Sequence, residues 1–265
     1  MLLAIDIGNT RIALGVFNDK ELIKRWQFRA EKEKTCDEYQ VTLMNLFSFS
    51  DLDISGIKGV IISSVVPPLN PVFQKLIQRL FQVRALEVSP GIKTGMPILY
   101  DNPHEVGADR IALAVAARQH YGSPCIVVDF GTATTFDAVS SKGEYLGGAI
   151  APGIQISAEA LYQKTAKLPR IDIQKIKKAI GKSTVASMHS GLYFGYIGLV
   201  SKIIEEMKNE LGGDAQVIGT GGFASLIFDE MECIDHHDSD LVLKGLLMIY
   251  HINKMKRQKE TNKKK

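Results

Sequence analysis

Two stretches of this chain set a carboxylate beside a short turn of glycine and hydroxyl-bearing residues. In the first, the apolar run Leu3-Ala4-Ile5 reaches Asp6, turns at Gly8-Asn9-Thr10, and resumes alternation through Ile12, Leu14 and Val16. In the second, Ile126-Val127-Val128 reaches Asp129, turns through Gly131-Thr132-Ala133-Thr134, and alternates again to Val139. Alternation on both sides of a turn is the pattern of a β-hairpin buried on at least one face. Turn N–H groups and hydroxyls that converge on one point make a concavity suited to a phosphate oxygen. Asp6 beside it would repel a bare phosphate but would hold the Mg²⁺ that accompanies ATP. One such unit alone reads as a plain hairpin. Two of them predict related half-domains facing each other across a cleft, each offering its turn to the same polyphosphate.

Other residues can carry chemistry. Gly107-Ala108 lets the backbone approach a ligand closely, Arg110 can pair an anion, and Asp109 between them can serve as the base of a phosphoryl transfer or simply cap the helix Ile111 to His120. Tyr100-Asp101-Asn102-Pro103 is a turn carrying an aromatic that either lies against a substrate or packs at the surface. Asp129 with Thr132, Thr134 and Thr135 suits a hard cation bound by oxygen, or an ATP phosphate through Thr132, or a carboxylate capping its own turn. Gly219-Thr220-Gly221-Gly222, between a strand and the helix Phe223 to Phe228, leaves room for an adenine or ribose at a helix N-terminus. His236-His237-Asp238 lacks a third spaced ligand, and adjacent loop histidines point apart, so no metal site is expected there.

The elements that must position these residues follow in order. Glu21 to Phe28 is a third strand after the first hairpin. Thr35-Cys36-Asp37 opens an amphipathic helix reaching Phe47. Gly59 to Val66 is a β-branched run expected of a central strand, followed by a helix over Leu69 to Phe81 and a strand over Val83 to Val88. The second half repeats the order: two strands within Val127 to Val139, a third at Tyr145 to Ile150, a helix at Ile154 to Lys164, and a strand at Ala215 to Gly219. Thr184 is the expected N-cap of the long helix Val185 to Leu211, which Gly212-Gly213 terminates. Met188, Leu192, Tyr196, Leu199, Ile203 and Met207 fall at helical spacing on it, for core or subunit packing. Asp238-Ser239-Asp240 caps a last helix to about Lys256. Antiparallel strands followed by parallel crossovers predict mixed sheets flanked by helices, in an α/β protein.

Composition narrows the function classes. The net charge of +3 lies mostly in the tail from Lys254 to Lys265, so the body is near neutral, which argues against nucleic acid as a partner. Three cysteines without CxxC spacing predict a reducing, cytoplasmic compartment with neither disulfides nor zinc. The start lacks the basic region of a signal peptide, and no apolar run is long enough to span a membrane.

Six segments together resemble the type III pantothenate kinases: Asp6 to Thr10, Ser63-Ser-Val-Val-Pro-Pro68, Tyr100 to Arg110, Asp129 to Thr134, Gly147-Gly-Ala-Ile-Ala-Pro-Gly153 and Gly219 to Gly222. They run in order through residues 1 to about 250. The Tyr-Asp-Asn-Pro and Gly-Ala-Asp-Arg segments are specific, whereas the Asp-x-Gly turns are common to actin-like and hexokinase-like ATPases. The resemblance implies two ribonuclease H-like half-domains, each a mixed five-stranded sheet flanked by helices, around a central cleft. Residues 1–117 and 118–253 would form the halves, with a basic disordered tail at 254–265. It also implies an enzyme that phosphorylates the 4′-hydroxyl of pantothenate with ATP, the first step towards coenzyme A. Asp6, Ile7, Gly8, Asn9, Thr10, Arg11, Ile12, Ala13 and Thr132 would contact ATP, and Asp109 would accept the proton. Tyr100, Gly107, Ala108, Asp109, Arg110 and Thr184 would bind pantothenate. Asp129 would hold K⁺ or NH₄⁺, and Asp6 would be the route to Mg²⁺ or another divalent ion. Family members are homodimers, which would give the helix from Val185 a partner surface. Two alternatives stand beside this reading: a metal-dependent nuclease with Asp6, Asp109 and Asp129 around its metals, and a binding module of the same fold without catalysis.

Overall fold

The computed structural model describes residues 1–224 and 228–262. The chain forms two compact units: Met1–Met96, Asp101–Ala116 and Leu241–Lys265 make the first, and Pro97–Tyr100 with Ala117–Asp240 the second.

In the first unit, β1 (Leu2–Ile7), β2 (Arg11–Asn18) and β3 (Glu21–Arg29) form an antiparallel meander. β4 (Gly59–Ser64) then pairs parallel with β1, and the short β5 (Leu86–Glu87) parallel with β4, giving the order β3-β2-β1-β4-β5. Leu3, Ile5, Ile7, Ile12, Leu14 and Val16 turn one face of this sheet towards α1 (Cys36–Ser48) and α2 (Asn70–Phe81). Tyr39, Leu43 and Phe47 of α1 and Phe73, Leu76 and Ile77 of α2 are fully buried there. Each such side chain contributes roughly 1.5–3 kcal/mol by leaving water. Thr35 opens α1 as one half of a capping box whose other half is Glu38.

The opposite face is lined by small residues, Ala4, Ala13 and Gly15, and takes the last helix, α6 (Leu241–Asn262). A Cβ on Gly15 would stand 3.0 Å from Leu243 Cδ1, and one on Gly59 would collide with the Tyr250 hydroxyl. The helix therefore sits as close to the sheet as glycine and alanine permit. Two expectations are corrected here. Residues 241–253, assigned from the sequence to the second half, pack on the first sheet, because that is where the small-residue face lies. The tail from Lys254 continues as helix to Asn262, which follows from its Lys, Arg, Gln and Glu content and the lack of glycine or proline; Lys263–Lys265 lie outside the described residues.

The second unit repeats the plan. β6 (Cys125–Phe130), β7 (Ala133–Val139) and β8 (Tyr145–Pro152) form the meander, and β9 (Gln216–Thr220) and β10 (His236–His237) add in parallel, giving β10-β9-β6-β7-β8. Ile126, Val128, Phe130 and Phe136 pack against Ile154 of α4 (Ile154–Lys164) and Tyr193, Tyr196, Val200 and Ile204 of α5 (Thr184–Leu211). The N-cap of α5 is Ser183 rather than Thr184: its Oγ accepts from the Ala186 N–H at 3.2 Å, and Thr184 is the first helical residue. Gly212 ends α5 at φ +92°, a left-handed position that glycine adopts freely. The helix expected over Phe223 to Phe228 falls partly on residues 225–227, outside the described residues. α3 (Ala108–Tyr121) starts three residues earlier than its apolar periodicity, so Asp109 lies inside its first turn.

Candidate active site

In the first unit the β1–β2 connection is a three-residue turn closed by the Gly8 N–H donating to the Arg11 carbonyl at 3.0 Å. The Thr10 carbonyl accepts from the Ala30 N–H at 3.0 Å, which pins the turn to the end of β3. Asn9, Thr10 and Arg11 are exposed, while Ile7, Ile12 and Ala13 are buried and present only backbone to a ligand. Asp6 is half-buried and in register with Ala13 on one side and Ser63 on the other. The Ser63 hydroxyl is buried without a hydrogen-bond partner among the described residues. A carboxylate beside an unsatisfied hydroxyl is an oxygen donor set that fits a hard divalent cation or one of its waters. Sequence reasoning gave Ser63 no role; the signal lay in its motif, but its orphaned hydroxyl shows only in the folded sheet.

The Val65 N–H donates to the Ile7 carbonyl at 3.0 Å, where β4 leaves the sheet. Its Cγ1 lies 3.6 Å from the point a Gly107 Cβ would occupy. Val65 therefore ties the loop carrying Asp109 to the strand end carrying the Asp6 turn. The Asp109 carboxylate folds back over Gly107, so that any side chain there would collide with Oδ1. Oδ1 accepts from the Arg110 N–H at 2.8 Å, satisfying one open donor of the α3 N-terminus. Burial raises the Asp109 carboxyl above the usual carboxylate range, against the Arg110 N–H and the Arg110 charge, which lower it. The residue keeps some solvent-exposed surface even so, as an acid-base group must. Asp109 is thus an acceptor at a helix terminus whose carboxyl is raised by burial. A cavity of about 340 Å³ opens beside this loop at the carboxyl ends of β4 and β5, walled by Ser64, Val65, Asn70, His104, Gly107 and Ala108. Ligands bind outside strand carboxyl ends in such sheets. Asn70 was not foreseen; its side-chain oxygen is buried there without a partner among the described residues.

In the second unit the Asp129 carboxylate is cradled by glycine. A Cβ on Gly131 would stand 3.6 Å from Oδ2, and one on Gly221, at φ +94°, would collide with Oδ1 and come within 2.7 Å of the Phe130 nitrogen. The Gly219 to Gly222 turn therefore closes over Asp129, with Thr220 in register beside it. Thr132 is exposed, and its carbonyl presses on Gly153, the N-cap of α4, where no side chain fits. Thr134 is buried and hydrogen-bonded to the Tyr196 hydroxyl. Burial pushes that hydroxyl up to about 12, with the Asp129 charge adding to the effect.

Tyr100 is half-buried in the second unit, its ring resting on Gly147, whereas Gly107 to Arg110 belong to the first. Thr184 is exposed and lines an open groove of about 900 Å³ with Ser157, Leu161, Leu168, Met188 and Leu192. No other residue expected at the site lines that groove. His236 and His237, expected on a loop, form β10 and pair with Ile218 and Gly219. His236 stacks on Tyr121 at 4.7 Å and His237 lies 5.4 Å from the Phe228 ring. Among the described residues no group of three or more His, Cys, Asp or Glu side chains is placed to hold a metal.

Two five-stranded sheets of one order, each led by a carboxylate and a glycine-hydroxyl turn, define the actin-like ATPase fold. A Sinorhizobium meliloti protein assigned as a 2-dehydro-3-deoxygalactonokinase shares it at a TM-score of 0.59 and 11% identity, over 95% of this chain and 96% of that one. A Listeria monocytogenes protein assigned as an N-acetylmannosamine kinase does so at 0.53 and 11%, over 96% and 99%. Within that class, residues 2–206 match the family model for type III pantothenate kinase. The type III pantothenate kinase of Moorella thermoacetica is 51% identical over 253 residues, covering 96% of this chain and 100% of its own. The chain belongs to the type III pantothenate kinase family.

Proposed function

We propose that this chain transfers the terminal phosphoryl group of ATP to the 4′-hydroxyl of pantothenate, the first step of coenzyme A synthesis. The observation that carries the reading is Asp109, a carboxyl raised by burial, placed over Gly107 and tied through Val65 to the Asp6 turn. A base with a raised pKa holds a proton taken from an alcohol better than an ordinary aspartate does. Family membership favours this reading over a nuclease or a non-catalytic module.

The roles follow residue by residue. The turn from Asp6 to Ala13 receives the ATP phosphates, with the exposed Asn9, Thr10 and Arg11 at its tip, and Thr132 offers a hydroxyl to ATP. Gly107, Ala108 and Arg110 receive pantothenate, with Arg110 countering its carboxylate. Tyr100 gives it a ring face, and Thr184 a hydroxyl. Asp6 with Ser63 suits a divalent ion, and Asp129 in its glycine cradle suits K⁺ or NH₄⁺. When bound, these cations neutralise the charge that builds on the transferred phosphoryl group. Asp109 takes the hydroxyl proton onto a carboxylate oxygen as the oxygen attacks.

Gly191, Gly195 and Gly198 of α5 face open space, and a Cβ at any of them would touch nothing within 4 Å. That face is the one we assign to a second copy in a homodimer. A cytoplasmic location accords with three cysteines that form no disulfide. The test is ADP release by the purified protein with ATP, Mg²⁺ and pantothenate, with and without K⁺. Release that depends on pantothenate supports the assignment, and equal release without it overturns it.

A further inference from the structure

Tyr145 holds the segment that carries Tyr100. Its N–H donates to the Pro97 carbonyl at 2.9 Å and its own carbonyl accepts from the Leu99 N–H at 2.8 Å. Ile98 thereby pairs parallel with Tyr145, covering the outer edge of β8 at that point. An edge strand left open exposes unpaired backbone groups, and this short pairing covers those of Tyr145 at the start of β8.

The Tyr145 side chain is fully buried, and its hydroxyl donates to Asp137 Oδ1 at 2.7 Å. Asp137 is itself fully buried in the middle of β7, and its other oxygen accepts from Thr135 Oγ1 at 3.4 Å. In register beside it stand Val127 of β6, fully buried, and Gly148 of β8. A carboxyl at such a place costs stability unless it is well partnered, and a β-branched apolar residue would serve the core better. What the carboxyl adds is a strong acceptor that fixes the Tyr145 ring.

That ring in turn faces Tyr100, with centroids 6.3 Å apart and planes tilted by 46°. On its other flank the Tyr100 ring lies on Gly147, where a Cβ would stand 3.0 Å from Cε2. Gly147 has φ +114°, so glycine is required there for backbone as well as for space. The segment leading to Tyr100 is therefore held by the main chain of Tyr145, and the Tyr100 ring by the Tyr145 ring and the bare backbone of Gly147.

We propose that Asp137 and Tyr145 are positioning residues for the reaction, setting the angle and depth at which Tyr100 meets the pantothenate. The proposal rests on the reading that Tyr100 touches that substrate. Tyr145→Phe keeps the ring and removes the hydrogen bond. It should raise KM for pantothenate on the order of tenfold, with kcat and KM for ATP nearly constant. Asp137→Asn, which keeps a weaker acceptor, should give a smaller rise of the same kind.

The deciding measurement places each change in a Tyr100→Ala background. If Tyr145 acts through Tyr100, its substitution adds nothing further to KM there; an undiminished effect overturns the proposal. Wild-type kinetics in both Tyr145→Phe and Asp137→Asn overturn it as well. Tyr100→Ala alone separates the two ideas, because an unchanged KM for pantothenate in that variant removes Tyr100 from the substrate site. Should Tyr145→Phe fail to fold, Asp137→Asn in the two backgrounds decides the same question.

Discussion

The Asp109 carboxylate occupies the space that a side chain on Gly107 would need. Loop and acid are therefore one unit, in which the glycine exists for the aspartate. A carboxylate held this way is set by backbone, through the Arg110 N–H and the start of α3.

Replacing Asp109 separates catalysis from stability. Asp109→Asn should lower kcat by roughly 10²-fold or more while ATP still binds, as ADP release and nucleotide titration would show. Because burial raises this carboxyl, the folded protein keeps its proton to a higher pH than the unfolded chain does. The resulting stability is fully present below the unfolded pKa of about 3.9 and is lost as pH rises through the folded value. Asn mimics the protonated form, so the variant should melt above wild type at pH 8 and level with it near pH 4. The same shift should place the acid limb of the wild-type kcat/KM profile above the range of an ordinary aspartate.

The cradle around Asp129 gives a second test. Asp129→Asn should abolish the rise in activity with added KCl or NH₄Cl, measured against NaCl. Gly221→Ala should do likewise and also lower stability by more than about 1 kcal/mol, since the new carbon meets both the carboxylate and a left-handed backbone. Undiminished stimulation by K⁺ in Asp129→Asn would remove this carboxylate from the cation site.

A third test uses the open face of α5. A larger residue at Gly195 fits the single chain without strain and should strengthen the helix by up to about 1 kcal/mol. If the proposed second copy packs on this face, Gly195→Leu should give a folded monomer in sedimentation equilibrium, because the new side chain would meet that copy. A dimer of wild-type affinity in that variant would place the interface elsewhere.

Local patterns carried the parts of this fold that depend on neighbours in sequence. Alternation around Asp6 and Asp129 marks both hairpins, because side chains of a strand alternate faces whatever lies beyond. Helical spacing from Tyr39 to Phe47 marks α1 for the same kind of reason, and the Gly-Ala-Asp-Arg segment marks the loop of Asp109. Where a cap depends on one residue, the reading slipped by one, from Ser183 to Thr184, since both carry a hydroxyl and only the backbone angle decides.

What the order of residues could not settle was which distant segments meet. That α6 docks on the first sheet, that Gly221 closes over Asp129, and that Tyr145 holds the segment of Tyr100 each depend on pairings across many residues. Nothing local in α6 names its sheet; the face of Ala4, Ala13 and Gly15 admits it by leaving space. Periodicity states which side of an element seeks cover, and close packing alone selects what covers it.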